Sequence, residues 1–313
     1  MNRRQFTKTL SLGVIALTTR KASVRSASEP PQVAITIDDL AKHANPKLTG
    51  EGMTRALISA LKAHSDLKAA VFVAGRNVDN DEGKQMLTAW NQAGQLLGNH
   101  TYSHRNLNAA ESRAEDFAQD ILRCEAIIKQ YPRFTKLFRF PMLKEGDTRE
   151  KRDAIRAFLK VHGYRIGHVT IDASDWYVDE RMRARLEKNP KADVTPYRSY
   201  YLDHIWERTL YYDDLTRKVL GRRVKHTLLI HHNLLNAFFL GDLLRMFERK
   251  GWKLIEAEQA FGDPVFSATP NIVPAGESVI WALAKETGKF DKLLRYPGED
   301  SEYEKRKMDR LGL

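Results

Sequence analysis

One cysteine, Cys124, occurs in 313 residues, so no intramolecular disulfide can staple this chain. No apolar run is long enough to span a bilayer as an anchor; the best candidate, around Leu10–Leu17, is short and broken by polar residues. No internal repeat and no low-complexity tract occurs, which argues against a solenoid or a disordered linker protein. Acidic residues are missing before Glu29, while six basic residues precede it. Those six inflate the formal charge of +11; the remainder balances 45 basic against 40 acidic residues. That mild excess is not a nucleic-acid footprint, and it suits an anionic polysaccharide surface equally well. What is present is ample apolar residue content, 42%, for one large α/β core without staples.

The first 28 residues read as a removable export segment. A basic start, a modest apolar run and the small residues Ser26-Ala27-Ser28 describe a secretory signal. Arg3, Arg4, Phe6 and Lys8 resemble the Arg-Arg-x-Phe-x-Lys motif of bacterial twin-arginine signals. That resemblance implies a folded, metal-loaded protein delivered by the twin-arginine machinery to the periplasm or outside, with no stable membrane anchor.

After Pro30-Pro31, the stretch Val33-Ala34-Ile35-Thr36-Ile37 runs straight into Asp38-Asp39. A short run rich in Val, Ile and Thr is a buried strand, and the acids stand at its C-terminal end. Chemistry in parallel α/β sheets sits where strands end. Two adjacent acids repel and are costly to desolvate without positive charge beside them, which a metal ion supplies. The pattern then alternates. Helices are expected near 52–64, 82–93, 111–130, 149–162 and 237–250, and strands near 69–73, 95–97, 137–140, 164–171, 227–230 and 252–255. Alternation of this kind predicts parallel strands with right-handed crossovers, about seven in number, in an α/β barrel that need not be complete. The segment 177–225 is charged, tyrosine-rich and helical in pattern. It is expected as an insertion over one barrel rim that shapes substrate choice, its tyrosines either packing or forming a sugar platform. The tail after Phe261 reads as a peripheral extension. The expected units are thus 1–28 (signal), 29–265 (catalytic barrel, with the 177–225 insertion) and 266–313 (C-terminal extension).

The chemistry-bearing residues fall at the strand ends. His100 and His104, four apart, are expected on one face of a helical turn with metal-chelating spacing. With a nearby acid they make a three-ligand site with open positions. Arg139 precedes Pro141, Asp172 and Asp175-Trp176 follow a later strand, and His231-His232 follow Leu228-Leu229-Ile230. Cys124 sits on an apolar helical stripe and is expected to be a core residue. His43, His64, His162, His168, His204 and His226 have no matching context.

In order and spacing these elements resemble the polysaccharide deacetylase family, the NodB-homology domain. Thr36-Ile37-Asp38-Asp39, His100-Thr101-x-x-His104, Arg139-Phe140-Pro141, Asp175-Trp176 and Leu229-Ile230-His231 are similar to five ordered motifs of that family, over about residues 33–260. The resemblance implies an irregular (β/α) barrel. It also implies that Asp39, His100 and His104 hold a divalent metal, and that Asp38 is the general base. Arg139 would hold Asp38, His231 would be the general acid, and Asp175, rather than Asp172, would tether it. Trp176 would wall the acetyl pocket, and the backbone N–H after Pro141, that of Met142, would help stabilise the oxyanion. Zinc fits this donor set, and the sequence leaves the ion open. Three positions depart from the pattern: Ile37 for Phe, Leu143 for a common Gly, and His232 for a frequent Asp, which leaves His232 as a competing acid. The expected activity is removal of N- or O-acetyl groups from a polysaccharide. The alternatives are a same-fold hydrolase of another C–N amide and a carbohydrate-binding relative without catalysis.

Overall fold

The computed structural model describes residues 29–40, 47–295 and 301–313; the signal expected in residues 1–28 lies outside them. The strands are β1 (Gln32–Asp39), β2 (Ala70–Val73), β3 (Leu96–Asn99), β4 (Phe134–Phe138), β5 (Lys144–Gly146), β6 (Arg165–Ile166), β7 (Lys225–His231), β8 (Lys253–Leu254) and β9 (Ala275–Gly276). Seven of them form one parallel sheet in the order β6-β4-β3-β2-β1-β7, with β8 beside the start of β1. An isolated parallel bridge from Ile171 to Leu228 ties the chain leaving β6 to the free side of β7, so the sheet curls into an irregular barrel. β1 is its centre. Val33 to Asp38 are all buried, as expected of a strand covered on both faces.

Helices wrap this sheet: α1 (Gly50–Ala63), the single turn α2 (Gly75–Val78), α3 (Asp81–Gln92), α4 (Ala114–Ile128) and α5 (Arg149–Val161), with all but α2 where apolar spacing predicts a helix. Side chains set their starts; Thr49, Asn80 and Thr148 accept hydrogen bonds from Gly52, Gly83 and Lys151 amides. Cys124 on α4 is buried, its Sγ donates to the Val73 carbonyl, and burial pushes its thiol up to about 12. It is a core residue.

The segment 177–225 departs from a rim insertion. It forms α6 (Asp175–Lys188) and α7 (Thr195–Leu220), which pack on each other and on α8 (Leu234–Arg249). Tyr197, Tyr200, Tyr201 and Tyr212 are buried, so these four tyrosines pack the outer layer and offer no sugar platform. No single apolar stripe marks this helix in the sequence, because α7 buries residues around much of its girth. The tail is likewise bound in. After the single turn α9 (Ala257–Ala260), β9 pairs with β5, and α10 (Val279–Thr287) packs on α7 with Val279, Ile280 and Ala284 buried. The last helix, α11 (Glu302–Leu311), sends Glu304 to Arg208 of α7 at 3.3 Å.

Candidate metal centre and active site

The C-terminal ends of the strands converge on a cavity of about 380 Å³. Asp38 and Asp39 come from β1, His100 and His104 from the loop after β3, and His231 from the end of β7. Met142, Leu143, Trp176 and Leu229 complete an otherwise apolar wall.

The two histidines are not on a helical turn. Thr101 and His104 have φ of 63° and 56°, in the left-handed region that stops a helix after β3. Side chains stitch the turn instead: Thr101 N–H donates to Asn99 Oδ1 at 2.9 Å and His104 N–H to Thr101 Oγ1 at 3.0 Å. The result still brings the rings together, with centroids 4.9 Å apart. One ligand atom from each of Asp39, His100 and His104 lies within 4.8 Å of the others.

The donor chemistry fits a cation. His100 Nδ1 sits 2.8 Å from the Arg139 carbonyl, an acceptor, so that nitrogen carries the proton. In the neutral ring, Nε2 then presents a lone pair, 3.5 Å from Asp39 Oδ1 and 3.7 Å from Asp38 Oδ2. Burial pushes the His100 pKa down to about 4, against the pull of Asp38, which keeps the ring neutral. Asp39 Oδ1 is buried without a well-aligned hydrogen bond, although His104 Nε2 is 3.1 Å away. Burial alone would raise Asp39, but His104, His231 and His100 outweigh it and hold the carboxyl far below its usual range. A bare carboxylate oxygen facing two imidazole nitrogens is a set that could hold a divalent ion, with the imidazole of His100 oriented by a backbone carbonyl. Asn77 Nδ2 donates to the Asp39 carbonyl at 3.0 Å, which helps hold that residue at its φ of 80°.

Asp38 points the other way around the strand end. Its Oδ1 receives Arg139 Nη1 at 2.6 Å, and both side chains are buried. Arg139 is itself held by Thr36 Oγ1 at 2.9 Å and the Gly167 carbonyl at 2.8 Å, and its guanidinium lies 3.9 Å over the Phe72 ring. The Phe72 ring fills the space beside Gly167; a Cβ there would come within 2.4 Å of it. Thr36 entered the sequence reading only as the first residue of the Thr36-Ile37-Asp38-Asp39 stretch, and Gly167 is a support that sequence spacing did not single out.

His231 Nδ1 meets Asp175 Oδ1 at 2.7 Å, and its backbone N–H donates to Asp175 Oδ2 at 2.9 Å. Asn233 and Asn236 add donors to the same oxygen at 3.1 and 2.7 Å. These two asparagines were illegible in the sequence, since Asn at the start of a helix reads only as a cap. Burial opposes the charged His231 ring, but Asp175 outweighs it and raises the pKa to about 10. His232 turns away, its Nε2 2.9 Å from Thr54 Oγ1, so the competing acid lies outside the cavity. Asp172 is buried near Arg139 and is not the partner of His231. Trp176 and Met142 reach the cavity, whereas Pro141 is buried behind its wall.

Backbone strain collects here. Nine non-glycine residues with positive φ occur among the described residues, and Asp39, Thr101, His104, Met142 and Leu143 all belong to this site. Sparsely populated conformations persist where surroundings over-determine them, and they concentrate at functional sites.

A family model described as polysaccharide deacetylase matches residues 25–166. A search of curated proteins returns no match. Among solved structures, a mutant of a CE4 family pseudoenzyme with restored enzymatic activity is 18% identical, with 74% of this chain and 67% of that chain covered and a TM-score of 0.50. The wild-type CE4 family pseudoenzyme from Bacillus anthracis is 17% identical over 74% and 65% of the two chains, with a TM-score of 0.50. The peptidoglycan deacetylase PdaC from Bacillus subtilis is 19% identical over 74% and 90%, with a TM-score of 0.48. At such identities the first two likenesses are likenesses of fold, and they agree with the parallel-strand α/β architecture. Residues 25–166, which hold both β1 acids, both loop histidines and Arg139, are the part of the chain that matches the polysaccharide deacetylase family model.

Proposed function

We propose that this protein removes acetyl groups from an acetylated polysaccharide or oligosaccharide. The observation that carries the reading is the meeting of three units in one cavity: the Asp39-His100-His104 donor set, the Asp38–Arg139 pair and the His231–Asp175 pair. A divalent ion held by the three donors, with zinc the best fit, would lower the pKa of water to about 7 and polarise the acyl carbonyl. Asp38, oriented by Arg139, takes the proton from the attacking water. His231, tethered by Asp175, gives a proton to the leaving nitrogen or oxygen. The backbone at Met142 offers an N–H for the developing oxyanion. Trp176, Leu143 and Leu229 shape the acyl side of the pocket and exclude water. A CE4 family pseudoenzyme exists, so family membership alone does not carry activity; the complete set of acid, base and donors supports it here. The test is acetate release from chitin oligomers, peptidoglycan, acetylated xylan and acetylated exopolysaccharide, with and without chelator. Zinc binding with no acetate release from any of them would point instead to a non-catalytic carbohydrate-binding protein.

The His231–Asp175 pair sets a pH dependence. A general acid must be protonated to donate, and the Asp175 carboxylate stabilises the protonated ring, so the active form persists to high pH. Asp175→Asn removes that charge, lowers the His231 pKa, and should move the basic limb of the kcat/KM profile to lower pH by roughly 1–3 units. An unmoved basic limb would mean that His231 is not the acid.

An exported enzyme suits a polymeric substrate outside the cell. Among the described residues, no helix is long and apolar enough to cross a membrane. Residues 1–28 are read as a twin-arginine signal that takes the protein to the periplasm or beyond. Arg3→Lys with Arg4→Lys should hold the precursor in the cytoplasm of a bacterial host, judged by fractionation. A double variant that still reaches the periplasm would rule the twin-arginine route out.

A further inference from the structure

The cavity wall formed by Met142 and Leu143 is held from behind by residues far along the chain, beyond the segment matched by the family model. Both wall residues have φ of 55°, a conformation that needs outside support. Locally, Leu143 N–H donates to the Phe140 carbonyl at 3.0 Å. Further support comes from residues 275–279. Here β9 pairs antiparallel with β5, Glu277 N–H donates to the Leu143 carbonyl at 2.9 Å, and the Glu277 carboxylate meets Lys144. The other end of this short stretch grips the segment that leads to Asp175. Ser278 Oγ donates to the Thr170 carbonyl at 3.0 Å and Val279 N–H to the Val169 carbonyl at 2.9 Å, shortly before Asp175 in the chain.

Gly276 makes the close approach possible. Its φ is 127°, and a Cβ added there would lie 1.9 Å from the Leu143 carbonyl oxygen. Only glycine takes this conformation readily and leaves room for that oxygen. Ser278 also caps α10 by accepting from Ile280 N–H, so the stretch is anchored to a buried helix.

We infer that residues 275–279 are a strap that positions the Met142–Leu143 wall against the reacting acyl group, with Gly276 and Glu277 as positioning residues. The strap touches none of Asp39, His100 or His104, so it acts on turnover and not on metal binding. The consequence for turnover rests on the deacetylase reading; the consequence for the wall does not.

The experiment compares Gly276→Ala with Gly288→Ala in the full chain. Gly288 also has positive φ, 65°, but an added Cβ there meets nothing within 4 Å, so it reports strain in the tail without contact to the wall. Three quantities are read: amide hydrogen exchange at residues 142–146, zinc affinity by calorimetry, and kcat and KM on an acetyl ester. Gly276→Ala should accelerate exchange at 142–146 and lower kcat by roughly 10–100-fold, since small misplacements of a positioning group have effects of that size. Its zinc affinity should stay within about twofold of wild type, the strap making no contact with the donors. Gly288→Ala should match wild type in all three. If Gly276→Ala does not fold, Glu277→Gln, which keeps the backbone and weakens the contact with Lys144, should act in the same directions with smaller size. Unchanged exchange at 142–146 in Gly276→Ala, or in Glu277→Gln where that variant replaces it, would overturn the strap, as would zinc affinity falling in step with kcat. A wild-type protein without acyl hydrolysis, whose exchange still responds, would leave the strap standing and remove the deacetylase reading.

Discussion

Asp39→Asn should abolish tight zinc binding while the fold survives. Asp39 is the single carboxylate of the donor set, and its Oδ1 is buried without a well-aligned hydrogen bond, facing His104 Nε2 at 3.1 Å and His100 Nε2 at 3.5 Å. The amide of Asn carries no charge and brings an N–H₂ group that would face those nitrogens. Losing a mere orienting partner of a ligand costs roughly 10–100-fold in metal affinity, so losing the charged ligand should exceed ~100-fold. Stability without metal should fall at neutral pH, because the interactions with His104, His231 and His100 that hold the Asp39 carboxyl far below its usual range are lost with the charge. Calorimetry of zinc binding and thermal melting of the metal-free protein read the two effects separately. Wild-type zinc affinity in this variant would place the ion elsewhere.

Asp38→Asn should do the reverse. Zinc binding should persist, since Asp39, His100 and His104 are untouched, and turnover should fall by roughly 10²–10⁴, the usual contribution of a general base. The environment adds a second signature. Arg139 is fully buried against Asp38 at 2.6 Å, so neutralising Asp38 leaves a buried cation without its closest counter-charge. Breaking a buried pair from one side typically costs about 3–5 kcal/mol, so this variant should also melt well below wild type. Activity is therefore compared at a temperature where both proteins are folded. If Asp38→Asn loses zinc while Asp39→Asn keeps it, the two adjacent acids have exchanged roles.

The difference between these neighbours was only half legible in the chain. Two acids at the end of a buried strand can be read from the residues, and a strand end can aim both at one site. The structure separates them through backbone: Asp38 is still extended and faces Arg139 across the barrel, whereas Asp39, the last residue of β1, turns at φ 80° toward the histidines. The His100–His104 pair shows the same limit. The spacing correctly marked two rings that converge, but it did so for a helical turn that is not there. A loop with Thr101 and His104 in left-handed conformations reaches a similar separation, because ring convergence needs only a tight turn.

By itself, the sequence determined the parallel α/β alternation, the buried central strand and the residue types placed at its ends. Those follow from local periodicity and from the cost of burying charge, both of which act over a few residues. Tertiary structure alone decided which imidazole nitrogen faces which oxygen, that Asn233 and Asn236 share the Asp175 carboxylate, and that His232 turns to Thr54. It also decided the place of the tyrosine-rich α7 and of the tail. Neither shows a single apolar face or a motif, and each is buried by contacts with elements distant in the chain, such as Tyr201 with Asn236 and Glu277 with Leu143. Contacts of that range depend on how the barrel curls, which no local pattern in the chain encodes.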